Sequence, residues 1–111
     1  MDREILLAHL RRTHFAPADR DQAQTDGRAI AAYLKREYNA RVIGIGSAFV
    51  DDRPFCQSSD IDLVVEGLPV AQFYQASARA ADMTNLALDI IPLESATAPL
   101  LDRVRLEGVE L

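Results

Sequence analysis

The stretch GSAFVDDRPFCQSSDIDLVV, residues 46–65, decides the fold of this 111-residue chain. It holds a Gly-Ser pair after a short apolar run, a polar connection of twelve residues, and two aspartates two positions apart. Side chains alternate between the faces of a strand, so Asp60 and Asp62 point to one face and Ile61 points to the other. Neighbouring carboxylates repel each other unless a cation lies between them. The pattern predicts a site for a hard cation such as Mg²⁺.

The Gly-Ser pair predicts a complementary site for phosphate. Gly46 allows the backbone to turn sharply and to approach a ligand closely. If a helical turn starts after it, the leading N–H groups of that turn face the phosphates, and the Ser47 hydroxyl adds one hydrogen bond. One strand end would then offer phosphate donors while the next strand offers metal ligands.

A third carboxylate, Asp89, lies in the apolar run LALDIIP at residues 86–92. It is the only acidic residue in that run, which predicts a strand stopped by Pro92. A buried charge without a partner is costly. We therefore expect a buried Asp89 whose partner is the metal site.

The rest of the sequence predicts helices around these strands. Expected strands span 41–46, 60–66 and 86–92, and expected helices span 2–12, 25–38, about 69–83 and 98–107. Residues 13–24 are expected to form a loop or a loose helical turn, with Thr25 or Asp26 as the cap of the next helix. In the third helix, Val70, Phe73 and Tyr74 are expected to face inward. The predicted fold is α/β in the α+β sense: one domain, residues 1–111, with a small mixed sheet flanked by helices.

Composition excludes several classes of function. The net charge is −5, from 12 basic and 17 acidic residues, which argues against binding duplex nucleic acid through phosphates. A nucleotide substrate remains compatible, because a metal ion supplies positive charge. The single cysteine, Cys56, forms neither an internal disulfide nor a cysteine metal site. No run is apolar enough for a membrane span, and the N-terminus lacks signal-peptide features, so we expect a cytoplasmic protein.

At these residues the sequence resembles the DNA polymerase β-type nucleotidyltransferase superfamily. The family pattern is a glycine followed by Gly or Ser, a variable spacer, an acidic-hydrophobic-acidic triplet, and a later acidic residue on a strand. Gly46, Ser47, the triplet at 60–62 and Asp89 match it. The short chain and its SSDIDLVV segment are similar to the minimal nucleotidyltransferases, the MNT proteins.

This resemblance implies a nucleotidyltransferase fold and the metal-dependent transfer of a nucleoside monophosphate, AMP from ATP, with release of pyrophosphate. Asp60 and Asp62 would hold both of two Mg²⁺ ions, and Asp89 would be a ligand and the base. Ser59 and Arg53 are further candidate nucleotide-binding residues. One departure is that many minimal members read GSxARG where this chain reads GSAFVDD, so Arg53 is the nearest arginine.

The resemblance also implies a partner and leaves alternatives open. Many MNT proteins are antitoxins of HEPN-domain ribonuclease toxins, and act by binding the toxin or by adenylylating it on a tyrosine. The alternatives are a non-catalytic antitoxin that acts by contact, and a nucleotidyltransferase with a small-molecule acceptor. Enzymes of the last kind usually carry a further helical domain, for which this chain has no room.

Overall fold

The computed structural model describes residues 17–50 and 61–111. In that part of the chain, three α-helices flank one mixed four-stranded sheet, which confirms the predicted α+β class. In chain order the elements are α1 (Pro17–Tyr38), β1 (Arg41–Ile45), β2 (Ile61–Glu66), α2 (Phe73–Ala81), β3 (Leu88–Pro92), α3 (Ala98–Glu107) and β4 (Val109–Glu110). Short 3-10 turns at Val70–Gln72 and Leu93–Ser95 precede α2 and follow β3. The helix expected at 2–12 lies outside the described residues.

The sheet has the strand order β3-β2-β1-β4. β1 is antiparallel to both β2 and β4, whereas β2 and β3 are parallel and joined through α2. The end of β1 therefore lies beside the starts of β2 and β3. The Gly-Ser pair therefore lies at the same end of the sheet as Asp62 and Asp89.

Different helices pack on the two faces of the sheet. One face packs against α1 and α2, and fully buried side chains there include Ile30, Leu34 and Leu63. The other face packs against α3, where Ile45 and Val64 are fully buried. Alternation along β2 places Asp62 on the face of Val64, so the aspartate lies on the α3 side.

The loop or loose helical turn expected at residues 13–24 is wrong from Pro17 onward, because a regular helix, α1, begins there and continues to Tyr38. Asp26 consequently lies inside the helix rather than at its cap, and accepts a 2.7 Å hydrogen bond from Thr84. The segment lacks an apolar stripe because only small or polar side chains are needed where it packs. Ala23 is fully buried, while Gln24 donates a hydrogen bond to the backbone after β1.

The inward face expected for α2 is also partly wrong. Val70 is 90% exposed and Tyr74 is 85% exposed, whereas Phe73 is partly buried. Ala76 and Ala80, four residues apart, are the fully buried positions, and their small side chains let the helix lie close to its neighbours. Among residues 17–50 and 61–111, none of the helices combines the length and apolar character that crossing a membrane requires.

The C-terminal elements are tied to the sheet at several points. Thr97 caps α3 by accepting a hydrogen bond from the Leu100 N–H, and the helix ends before Gly108 as predicted. β4, which is too short to be recognised from the sequence, then pairs with β1. Arg41 donates two hydrogen bonds to the Glu110 carboxylate, at 2.8 and 2.9 Å. This bidentate geometry is the strong form of an arginine–carboxylate pair.

The Arg41–Glu110 pair predicts a small pH dependence of stability. Hydrogen bonds from Arg41 hold the pKa of Glu110 below its usual value. A carboxylate with a lower pKa in the folded chain stabilises the fold above its unfolded pKa, and loses this contribution as the pH falls through the folded pKa. We expect Glu110→Gln to lower the urea midpoint slightly near pH 7 and to have no effect near pH 3. An equal difference at both pH values would contradict this role.

Candidate functional site

A sharp turn follows β1 and begins at Gly46. The backbone of Gly46 has φ of +81°, a value that L side chains rarely adopt. Its carbonyl accepts hydrogen bonds from the N–H groups of Phe49 and Val50, both at 3.1 Å. Residues 47–50 therefore form one helical turn, and the first N–H groups of such a turn have no acceptor within it. This is the turn that the Gly-Ser pair predicts.

Two contacts with α1 fix the position of this turn. Arg20 Nε donates to the Ser47 carbonyl at 3.1 Å, and Gln24 Nε2 donates to the Ala48 carbonyl at 3.0 Å. The Phe49 ring enters the space beside two glycines, one on α1 and one on β1. A Cβ atom at Gly27 would lie 2.7 Å from the ring, and one at Gly44 would lie 2.6 Å from it. The turn is thus fixed by hydrogen bonds to its backbone and by the packing of the Phe49 ring.

Asp62 and Asp89 lie side by side on neighbouring parallel strands. The register of β2 and β3 pairs them directly, so both carboxylates project from the α3 face of the sheet. Strands lie about 4.8 Å apart, which leaves two negative charges close together. Asp62 is half-buried and Asp89 is exposed. The expectation that Asp89 is buried is therefore wrong, because β3 has one paired neighbour, β2, among the described strands.

The carboxylate of Asp62 lies directly beside the turn. A Cβ atom at Gly46 would lie 2.9 Å from Asp62 Oδ2, so no larger residue fits there without a shift. Ile45 also pairs with Asp62 across the antiparallel strands. The backbone conformation thus favours glycine at this position, and a larger residue would also shift the Asp62 carboxylate.

Helix α3 adds two charged residues that the sequence did not single out. Arg103 Nη2 would lie 3.8 Å from a Cβ atom at Gly46, on the side where Asp62 also lies. Glu107 Oε1 accepts hydrogen bonds from the Gly46 N–H at 3.3 Å and from Arg103 Nη2 at 3.2 Å. Both residues lie more than forty positions from the Asp-x-Asp segment, so no local spacing pointed to them.

Comparison with solved structures identifies the fold. The chain is similar to the MNT antitoxin in complex with a tri-AMPylated Shewanella oneidensis HEPN toxin, at 21% identity and a TM-score of 0.57, over 79% of this chain and 70% of that one. It is also similar to a toxin–antitoxin structure with AMP-PNP, at 20% identity and a TM-score of 0.60, over 74% of this chain and 69% of that one. The chain has the MNT fold.

A further similar structure is the toxin–antitoxin complex MntA-HepT, at 20% identity and a TM-score of 0.57, over 78% of this chain and 69% of that one. No protein-family model and no curated protein sequence matches the chain. The likeness therefore lies in the fold, whose predicted nucleotidyltransferase type is confirmed.

Three of the predicted site residues lie outside the described residues: Arg53, Ser59 and Asp60. Cys56 lies there as well. Within residues 17–50 and 61–111, no three histidine, cysteine, aspartate or glutamate side chains form a metal-binding group. Gly46, Ser47, Asp62 and Asp89, by contrast, all lie at one end of the sheet in the MNT fold. Their functional roles remain predictions.

The donor chemistry of this end of the sheet fits a magnesium ion. Asp62 and Asp89 are direct partners in the register of β2 and β3, and Mg²⁺ prefers hard oxygen ligands such as their carboxylates. Two adjacent negative charges also favour a bound cation, because it relieves their repulsion. Asp60, two positions before Asp62 in the sequence, stays a predicted third ligand.

Proposed function

We propose that this chain is a metal-dependent nucleotidyltransferase that transfers AMP from ATP to a hydroxyl group of a protein. The observation that carries the proposal is the direct pairing of Asp62 with Asp89 beside the Gly46 turn. That arrangement brings carboxylates for a cation and backbone N–H donors for phosphate to the same end of the sheet.

Each residue has a defined role in this proposal. Asp60 and Asp62 would hold two Mg²⁺ ions, and Asp89 would bind one of them. Asp89 takes the proton of the acceptor hydroxyl as the hydroxyl oxygen bonds to the α-phosphorus of ATP and pyrophosphate leaves. The ions, when bound, would stabilise the attacking and leaving oxygens of the transfer. Gly46 and Ser47 position the triphosphate through the turn, with Ser59 and Arg53 as further contacts. Asp89 is exposed, so a hydroxyl group of a second protein can reach it and give up its proton there.

We propose a HEPN-domain toxin as the protein acceptor, and an antitoxin role for the chain. Support comes from the similar structures, in which MNT antitoxins are complexed with HEPN toxins, one of them tri-AMPylated. One of these toxin–antitoxin structures also contains AMP-PNP. The proposal thus names ATP as the nucleotide, a toxin hydroxyl as the acceptor and the cytoplasm as the compartment.

The proposal is tested by incubating the chain with ATP, Mg²⁺ and a HEPN toxin encoded beside its gene. We expect the toxin to gain the mass of one or more AMP groups, and expect EDTA to prevent the gain. Intact-protein mass spectrometry measures the change. An unmodified toxin, from a folded sample supplied with each of the four nucleoside triphosphates, would contradict the proposal.

A second candidate is an antitoxin that neutralises its toxin by contact alone. It is favoured by the departure from GSxARG and by Asp51 and Asp52, which add negative charge after the Gly-Ser pair. The two candidates predict different results for one variant. Contact alone predicts that Asp62→Asn still rescues cells that express the toxin, whereas catalysis predicts that rescue is lost while the complex still forms.

A further inference from the structure

The segment after the Gly-Ser pair offers no arginine close to the pair, and Arg103 places a positive charge beside it instead. Asp51 and Asp52 follow the Gly-Ser pair, and the usual arginine of that segment is absent. Yet the guanidinium of Arg103 reaches the same turn from α3, with Nη2 3.8 Å from the point that a Gly46 side chain would occupy. Arg103 therefore restores positive charge beside Asp62 from a distant part of the sequence.

Glu107 shows that the donors at this point bind an anionic oxygen. Its Oε1 atom accepts from the Gly46 N–H at 3.3 Å, from Arg103 Nη2 at 3.2 Å and from Arg103 Nε at 3.4 Å. Three N–H donors, one from the backbone and two from the guanidinium, converge on a single carboxylate oxygen. Phosphate oxygens bind to the same kind of donor set.

The hydrogen bonds that Gly46 and Arg103 donate to Glu107 are long in comparison with those of the other arginine pair. Charge-assisted hydrogen bonds are about 2.7–2.9 Å long. The Arg41–Glu110 pair has two bonds in this range, whereas the bonds from Gly46 and Arg103 to Glu107 measure 3.2–3.4 Å. Arginine at i and glutamate at i+4 is also the less favourable order on a helix. A triphosphate carries more negative charge than one carboxylate, so it can compete with Glu107 for these donors.

We propose that Arg103 and the Gly46 N–H form the subsite for the terminal phosphates of the nucleotide, and that Glu107 occupies this subsite until the nucleotide displaces it. This rests on the proposed function, since it names a subsite of the same site. The side chain of Arg103 is 49% exposed, so it is accessible to a ligand from solvent.

Arg105 offers a matched control on the same helix. It forms a long ion pair with Asp102 at 3.6 Å and is 76% exposed. It also lines a groove of about 370 Å³ with Arg41 and Leu101, at the start of β1 rather than at its end. Replacing Arg105 removes the same charge from the same helix without touching the turn.

The test is calorimetric binding of sodium tripolyphosphate and of ATP, each with Mg²⁺, to the wild-type chain and four variants. We expect Arg103→Ala and Arg103→Gln to weaken both ligands about tenfold or more, as loss of hydrogen bonds to a charged group requires. Arg105→Ala should bind as the wild type does. Glu107→Gln should bind tripolyphosphate about two- to fivefold more tightly, because the charged oxygen that competes for the same donors is lost.

Different results separate failure of this inference from failure of the proposed function. A folded wild-type chain that binds neither ligand would overturn the proposed function together with the subsite. A wild-type chain that binds, with Arg103 and Arg105 variants that bind equally, would overturn the subsite alone. Weaker binding of tripolyphosphate to Glu107→Gln would overturn the role of Glu107 as the displaced anion.

Discussion

Asp62→Asn should lower the rate of AMP transfer by at least about a hundredfold, because loss even of an indirect metal partner commonly costs 10- to 100-fold. Asparagine keeps the size of the side chain and removes the charge that holds the cation. The loss should appear in transfer to the toxin, measured by intact mass over time. Asp102→Asn is the matched control, because Asp102 is exposed on α3 and its ion pair with Arg105 is long, at 3.6 Å.

The response to Mg²⁺ in the same variant separates a metal ligand from a purely structural aspartate. Added Mg²⁺ should raise the wild-type Tm and leave that of Asp62→Asn unchanged, since a ligand stabilises only a chain that binds it. An equal rise of Tm in both chains, or no rise in the wild type, would contradict the metal-ligand role.

Gly46→Ala should both destabilise the fold and displace the Asp62 carboxylate. A left-handed backbone costs an L residue about 1–2 kcal/mol. The new Cβ atom would also lie 2.9 Å from Asp62 Oδ2, so the side chain or the strand must move. We expect a loss of about 2–4 kcal/mol in the free energy of unfolding, together with loss of transfer. Urea unfolding measures the first effect and intact mass measures the second.

Gly67→Ala isolates the backbone part of this effect. Gly67 also has a positive φ, of +87°, but the nearest atoms to its added Cβ lie 3.9 Å away, an ordinary contact. In Gly67→Ala the free energy of unfolding should fall by only about 1–2 kcal/mol, the cost of the left-handed backbone, and transfer should be unchanged. If the Gly46 and Gly67 variants were equally stable and equally active, the contact between Gly46 and Asp62 would have no functional meaning.

The sequence predicted the parts of the site that follow from local periodicity. The Gly-Ser turn has the positive φ that glycine allows. Alternation on β2 places Asp62 on one defined face of the sheet, and the apolar run at 86–92 contains a strand. These features depend only on residues a few positions apart, which a single sequence displays.

Features that depend on contacts between residues far apart in the chain could not be predicted from the sequence. The register that pairs Asp62 with Asp89 is set by how α2 connects β2 to β3. The polar start of α1 shows no helical period in the sequence, because Arg20 and Gln24 bind backbone carbonyls of the turn rather than forming an apolar stripe. Arg103 gives no local signal, because its relation to Gly46 exists only once α3 packs on the sheet.

The most direct test of the central claim is a crystal structure of the chain with Mn²⁺ and a non-hydrolysable ATP analogue. Anomalous scattering would locate the metal. The claim predicts Mn²⁺ ligated by Asp60, Asp62 and Asp89, with the triphosphate against the turn at Gly46 and Ser47. Metal and nucleotide bound elsewhere, or no metal at these carboxylates at saturating concentration, would contradict it.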